Sequence, residues 1–148
     1  MITLNHTALH RIKVHAMQTY PEECCGALLG KDDDSTKTVC NVLEMTNAQN
    51  ENRSRRFLVT AQDYRWAEER AKQAGVSIVG FYHSHPDHPA EPSQFDLEHA
   101  MPWWSYVIVS VESKLPTVMR SWLLKDDRTR FSEEKVEISD GEFKHPCK

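Results

Sequence analysis

"GFYHSHPDHPAEPSQFD", residues 80–96, carries three of the chain's eight histidines within six positions and follows them with Ser93 and Asp96. It closes the apolar, β-rich run "VSIVGFYHSH" (76–85), so His83 and His85 fall on a predicted strand. Alternate residues of a strand share one face, about 6.6 Å apart along the chain. Both imidazoles can therefore point the same way and converge on one ion. Two imidazoles alone hold zinc poorly, and a catalytic site adds a third protein ligand while leaving the fourth position to water. Asp96 is the best third ligand nearby, because the loop broken by Pro86, Pro89 and Pro92 can fold back on the strand end with little freedom left to lose. A plainer reading competes. Ser93 after Pro92, with Asp96 three residues on, has the form of a helix N-cap with its capping-box partner, which needs no metal. It leaves unexplained two histidines on a strand end at a sheet edge, where function tends to collect. From spacing alone both readings stay open. His88, His99 and His145 read as surface residues.

Outward from this stretch, "CGALLG" (25–30) reads as a short buried strand and "TVCNVLEM" (38–45) as a second, joined by the charged turn "KDDDSTK" (31–37). A helix is predicted over 6–20, with Leu9, Ile12, Ala16 and Tyr20 on one stripe. Another is predicted over 61–74, with Tyr64, Ala67, Ala71 and Ala74 on one face and Gly75 as its stop. "NAQNENRSRR" (47–56) is polar and aperiodic, hence a loop, and a short strand "FLVT" follows it. A brief helix starts near Ser93, and strands come at "WSYVIVSV" (104–111), "VMRSWLL" (118–124) and "RFSEEKVEI" (130–138). Helices interleaved with five or six strands predict an α/β domain on a single mixed sheet.

The chain has 148 residues, of which 39% are hydrophobic and 27% charged, so one soluble globular domain is expected. A net charge of −4 leaves no electrostatic footprint for nucleic acid. No apolar run approaches the roughly 20 residues that span a bilayer, and "MITLNHTALHRIK" has no signal-peptide pattern. The four cysteines, Cys24, Cys25, Cys40 and Cys147, form no C-x-x-C pair and read as reduced thiols of a cytoplasmic protein. Hydrolytic zinc needs a general base. The candidates are Glu22 and Glu23 in "YPEECCGALLG", although adjacent glutamates after a helix are commonly just solvated.

Together the two segments resemble the JAMM (MPN+) zinc metallopeptidase family. Its pattern is a glutamate ahead of a short "CG-x-L-L-G"-like strand, then H-x-H, seven residues and S-x-x-D. Here these are "ECCGALLG", "HSH", "PDHPAEP" and "SQFD". With "WSYVIVSV" and "RSWLL", the resemblance extends to small bacterial members that act with ubiquitin-like β-grasp sulfur-carrier proteins, one group of which releases cysteine in a cysteine biosynthesis route. It implies an MPN, cytidine-deaminase-like domain over residues 1–138 with a tail over 139–148. It implies a Zn2+ held by His83, His85 and Asp96, with Glu23 as general base and Ser93 as oxyanion donor. It further implies a zinc-dependent peptidase or isopeptidase cutting after the C-terminal glycine of a carrier with a Gly-Gly tail. The basic loop residues Arg53, Arg55 and Arg56 are candidates for contacting that carrier, and a homodimer is left open.

Two departures matter. The long insertion of the eukaryotic deubiquitinating members, with its extra Cys and His ligands, is missing, since residues 97–135 hold only His99 and no cysteine. The family's inactive scaffold branch lacks the metal ligands, whereas this chain keeps them. A zinc nucleoside deaminase would need H-x-E with P-C-x-x-C, and neither is present. The remaining alternative is a non-catalytic module that binds the tail of a ubiquitin-like protein.

Overall fold

A computed structural model describes residues 1–47 and 59–140. Strand β1 (Ile2–Asn5) runs straight into helix α1 (His6–Thr19), and the Asn5 side chain caps that helix by accepting the Ala8 N–H at 2.7 Å. The buried stripe is Ala8, Ile12 and Ala16, one residue earlier at its start than the Leu9 stripe expected. Strands β2 (Cys25–Asp32) and β3 (Lys37–Met45) form the predicted hairpin about the acidic turn. Helix α2 (Ala61–Gln73) is capped by Thr60, which accepts the Asp63 N–H, and Gly75 follows its end with a φ of +72°, a conformation that suits glycine. Thr60 is therefore a cap and not strand, while Phe57 and Leu58 of the expected "FLVT" strand lie outside the described residues.

Strand β4 (Ser77–Pro86) carries the histidines, and helix α3 (Gln94–His99) follows the proline loop. Then come β5 (Ser105–Glu112), β6 (Leu115–Leu124), β7 (Phe131–Glu134) and β8 (Val136–Ser139). All eight strands join one mixed sheet in the order β7-β6-β5-β4-β2-β3-β1-β8. This α/β architecture of one mixed sheet with flanking helices is the one expected, with two corrections. Residues 2–5 form a strand too short to register as a pattern. "RFSEEKVEI" is two strands that pair with opposite edges of the sheet.

Only Lys135 separates β7 from β8, yet they stand at the two ends of the strand order. The sheet must therefore curl until its edges approach, and the Ile2 N–H donates to Lys135 O at 2.9 Å, carrying the β1–β8 ladder up to the linking residue. The curl wraps one face around α1, which touches β1, β3, β4, β5, β6 and β8. Ile2, Leu4, Ile12, Leu28, Val42, Tyr82 and Val107 fill this concave core. The other face packs against α2 through Ala27, Leu29, Ala67, Ala71 and Phe81.

A bulge in β4 decides which face the histidines meet. Leu29 pairs with Ile78 and Leu28 with Gly80, which leaves Val79 as an extra residue. Beyond it the alternation shifts by one, so Phe81, His83 and His85 stand on the α2 face while Tyr82 turns into the concave core. Tyr82 is fully buried; its hydroxyl meets His15 Nδ1 at 2.8 Å, and its ring lies across Gly26, the residue paired with it. A Cβ on Gly26 would fall 2.3 Å from the Tyr82 ring. Cys24 and Cys25 are free and buried, but Cys40, half-exposed on β3 and so open to a second thiol, is disulfide-bonded, against the reduced state expected. Among the described residues no helix is long and apolar enough to cross a membrane.

Gly26→Ala should therefore destabilise the fold by about 1–3 kcal/mol, the usual cost of overpacking a filled core. Denaturant melts will show it, and the same substitution in a Tyr82→Leu background should cost less. Equal costs in the two backgrounds would mean that the ring is not the obstacle.

Candidate metal centre

Sheet register brings the first groups together. Cys25 pairs with His83, and the same antiparallel register carried two residues further sets Glu23 opposite His85. Two hydrogen bonds keep the strands in step that far: Cys24 N to Ser84 Oγ at 2.8 Å and Ser84 N to Cys24 O at 3.2 Å. Residues of equal parity share a face, so Glu23 lies with His83 and His85. All three are at most 1% exposed, whereas Glu22 points outward and is exposed.

Asp96 arrives from α3. Ser93 is the N-cap of this helix and Asp96 its third residue, and both halves of the capping box are made. Asp96 N donates to Ser93 Oγ at 3.0 Å, and Ser93 N donates to Asp96 Oδ2 at 2.8 Å. That same Oδ2 lies 3.2 Å from His83 Nε2 and 3.3 Å from His85 Nε2, and the two Nε2 atoms are 3.1 Å apart. Glu23 Oε1 stands 3.6 Å from His85 Nε2. Glu23, His83 and His85 form a buried group that could hold a metal ion. Asp96 makes the tighter third corner, at 3.2 and 3.3 Å from the two imidazoles against 3.6 Å between Glu23 and His85.

The imidazole of His85 is oriented from behind. Its Nδ1 lies 2.7 Å from Pro89 O, and because a carbonyl can only accept, Nδ1 donates there and the ring is turned so that Nε2 faces His83 and Asp96. His88, expected at the surface, is half-buried and stacks on His85 with ring centroids 4.1 Å apart. Asp87 turns the chain with a φ of +56°, a conformation that Asp tolerates better than most residues. Its carboxylate accepts from Tyr20 Oη and, at 3.1 Å, from Ser113 N, tying the histidine loop to the segment before Glu23 and to the β5–β6 turn. His99 is exposed and stacks on Phe95. His145, Arg53, Arg55 and Arg56 lie outside the described residues.

The two carboxyl groups are driven apart in acidity. Burial, then the neighbouring Asp96 charge, push Glu23 up to about 9. Neither of its carboxyl oxygens has a hydrogen-bond partner among the described residues. Burial also acts to raise Asp96, but the His83 charge and hydrogen bonds from His83, His85 and Ser93 N outweigh it and hold Asp96 below the usual carboxylate range. The pocket thus contains one ionised and one protonated carboxyl group within reach of paired imidazoles, the separation of roles that acid–base chemistry uses.

Residues 6–125 match the family of prokaryotic homologs of the JAB domain, and the chain belongs to it. Among its relatives are two desampylases. The one from Pyrococcus furiosus is 30% identical over 117 residues, covering 78% of this chain and 76% of that protein. The one from Haloferax volcanii is 33% identical over 96 residues, covering 64% of this chain and 67% of that protein. The tail tip assembly protein K of Escherichia phage N15 is 26% identical over 119 residues, and the chain spans only 44% of its length. Among solved structures, a Desulfitobacterium hafniense protein superposes with a TM-score of 0.84 at 31% identity, covering 95% of this chain and 94% of that one. A JAB1/MPN domain protein from Archaeoglobus fulgidus shares the fold at a TM-score of 0.60 and 16% identity, covering 93% of this chain and 99% of that one.

In the metal-free protein, Glu23 keeps a proton that the unfolded chain releases. Its folded-state value of about 9 lies above the ordinary 4.5, so stability should fall as pH rises between the two. With a chelator present, Glu23→Gln should flatten this decline and melt higher than the parent at pH 8. Identical pH profiles for the two proteins would refute a protonated, buried Glu23.

Proposed function

We propose that this chain, with residues 1–138 as its domain, is a zinc-dependent hydrolase of the amide bond after the C-terminal glycine of a ubiquitin-like β-grasp protein, of the sulfur-carrier kind. One observation supports this most: two buried imidazole nitrogens and a carboxylate oxygen stand 3.1–3.3 Å apart beside a second carboxyl group that makes no hydrogen bond among the described residues. Those separations match the edge of a tetrahedron about zinc, about 3.3 Å for bonds of 2.0–2.1 Å. The donor set also suits zinc, and an orphaned buried carboxyl finds its explanation in a bound cation. The family membership and the kinship to desampylases support the ubiquitin-like substrate.

His83, His85 and Asp96 would hold the ion. Zinc in this setting supplies Lewis-acid activation of water near neutral pH. With a bound cation beside it to favour its ionised form, Glu23 would take the proton of the attacking water and hand it to the departing amine. Ser93 Oγ accepts the Asp96 N–H, which leaves its own O–H free to donate to the oxyanion that develops on the scissile carbonyl. An extended tail ending in Gly-Gly passes close over the paired imidazoles because it has no side chain at the reacting carbonyl.

The purified protein should contain about one zinc per chain by elemental analysis, and His83→Ala or Asp96→Ala should each abolish that content. Ser93→Ala should keep the metal and lose about 10²-fold in kcat, the loss typical of an oxyanion donor. Glu23→Gln should keep metal and fold yet give no turnover on a carrier adduct followed by mass spectrometry. A metal-free protein with full activity would sink the mechanism.

A further inference from the structure

We propose that His88 is a positioning residue for the metal centre: its ring, stacked on the imidazole of His85 and anchored by Ser110 of β5, fixes the plane in which His85 presents Nε2. That His85 ligates a metal rests on the hydrolase reading above, whereas the hold of His88 on His85 rests on the geometry alone. The two rings lie with centroids 4.1 Å apart and planes inclined by 24°, a close stacked contact.

One hydrogen bond does not fix a ring. The Nδ1–H of His85 donates to Pro89 O at 2.7 Å, which sets where that nitrogen lies. The ring can still rock about the line from Nδ1 to the carbonyl, and rocking swings the Nε2 lone pair off its target. A ligand must be held within about 10–20° of its productive orientation. A second ring laid against the face of the first opposes that tilt directly. His83 does not supply this brace. Its plane stands at 54° to that of His85, and the two rings meet through their Nε2 atoms at 3.1 Å, the ligand end of each.

His88 is itself held at several points. Its Nδ1–H donates to Pro86 O at 2.8 Å. Its carbonyl accepts from Ser110 Oγ at 2.7 Å, and Ser110 is buried. Ser110 is the partner of His85 in the parallel β4–β5 ladder, so the two side chains rise from one face of the sheet on neighbouring strands. The anchor of the loop thus stands beside the ligand that the loop braces. Asp87 N donates to Val111 O at 2.6 Å, and the positive φ of Asp87 turns the chain so that His88 comes back over His85. If His88 merely filled space in this loop, any side chain of similar bulk would serve. A brace for a ring needs a flat face.

The test compares three variants of the full chain. His88→Phe keeps a flat ring and loses the bond to Pro86 O, His88→Asn can keep that bond but has no ring, and His88→Leu has bulk without a face. With the protein held metal-free by a chelator, 13C relaxation at Cε1 of His85 reports the order of its ring. That ring should be as ordered in His88→Phe as in the parent, and mobile in the other two. Zinc affinity, measured against a competing chelator, should follow the same division: close to the parent for His88→Phe, weaker by about tenfold or more for His88→Leu and His88→Asn. A His85 ring equally ordered in all of these proteins, or an affinity that does not separate His88→Phe from His88→Leu, would overturn the proposal. If melting shows the Leu and Asn variants to be unfolded, Ser110→Ala serves instead. It removes one hydroxyl and should mobilise the His85 ring and weaken zinc several-fold; a ring as ordered as the parent's again overturns the proposal. A parent chain that takes up no zinc would sink the hydrolase reading and leave ring order to decide the role of His88. Zinc uptake and turnover with a ring insensitive to His88 would do the reverse.

Discussion

Asp96 Oδ2 does two things at once: it accepts the Ser93 N–H at 2.8 Å as half of a capping box, and it stands 3.2–3.3 Å from both imidazole nitrogens. The helix cap and the candidate metal ligand are one atom. This double use explains why the start of α3 must sit over the end of β4, and why the loop between them is short and proline-rich. It also ties Ser93 to the site, since its hydroxyl accepts the backbone N–H of the residue whose carboxylate faces both imidazoles. Four ionisable side chains gathered in the protein interior are costly unless each is paired or bound to a cation. Much of the surrounding structure reads as the means of holding them there: the Pro89 carbonyl behind His85, the His88 ring stacked on it, and the Asp87 tether to Tyr20 and Ser113.

The sheet makes the gathering possible. The bulge at Val79 moves His83 and His85 to the face that α2 and α3 cover, and the β2–β4 register then sets Glu23 opposite His85. Without the bulge, Tyr82 and Ser84 would occupy that face and the imidazoles would point into the closed core around α1. The near-closure of the sheet through β7, Lys135 and β8 wraps that core around α1. Strands β2 and β4 lie inside the strand order, and Glu23, His83 and His85 are buried there.

How much of this was legible depended on range. The H-x-H spacing, the Ser-Pro boundary and the glycine-bounded strand act over a few residues, so strands β2 to β5, helices α1 to α3 and the convergence of His83, His85 and Asp96 could be read from local pattern. Strand β1 and the division of β7 from β8 could not. Residues 2–5 are too few to show alternation, and the break at Lys135 is decided by which sheet edges lie nearby, a fact of tertiary structure. The bulge escaped for the same reason, since "SIVGFYHSH" alternates no differently with or without it. His88 looked like a surface residue because stacking against His85 depends on a loop turned by the unusual backbone of Asp87. The choice between a helix cap and a metal ligand for Asp96 was open on spacing, and in the fold the two are compatible.

The most direct test of the metal centre is X-ray absorption at the zinc edge on the zinc-loaded protein. Two imidazole nitrogens and two oxygens at about 2.0–2.1 Å are expected, with the outer-ring scattering that histidine produces and no sulfur. A sulfur shell near 2.3 Å, as buried Cys24 or Cys25 would give, or a first shell without imidazole, would contradict a site built on His83, His85 and Asp96.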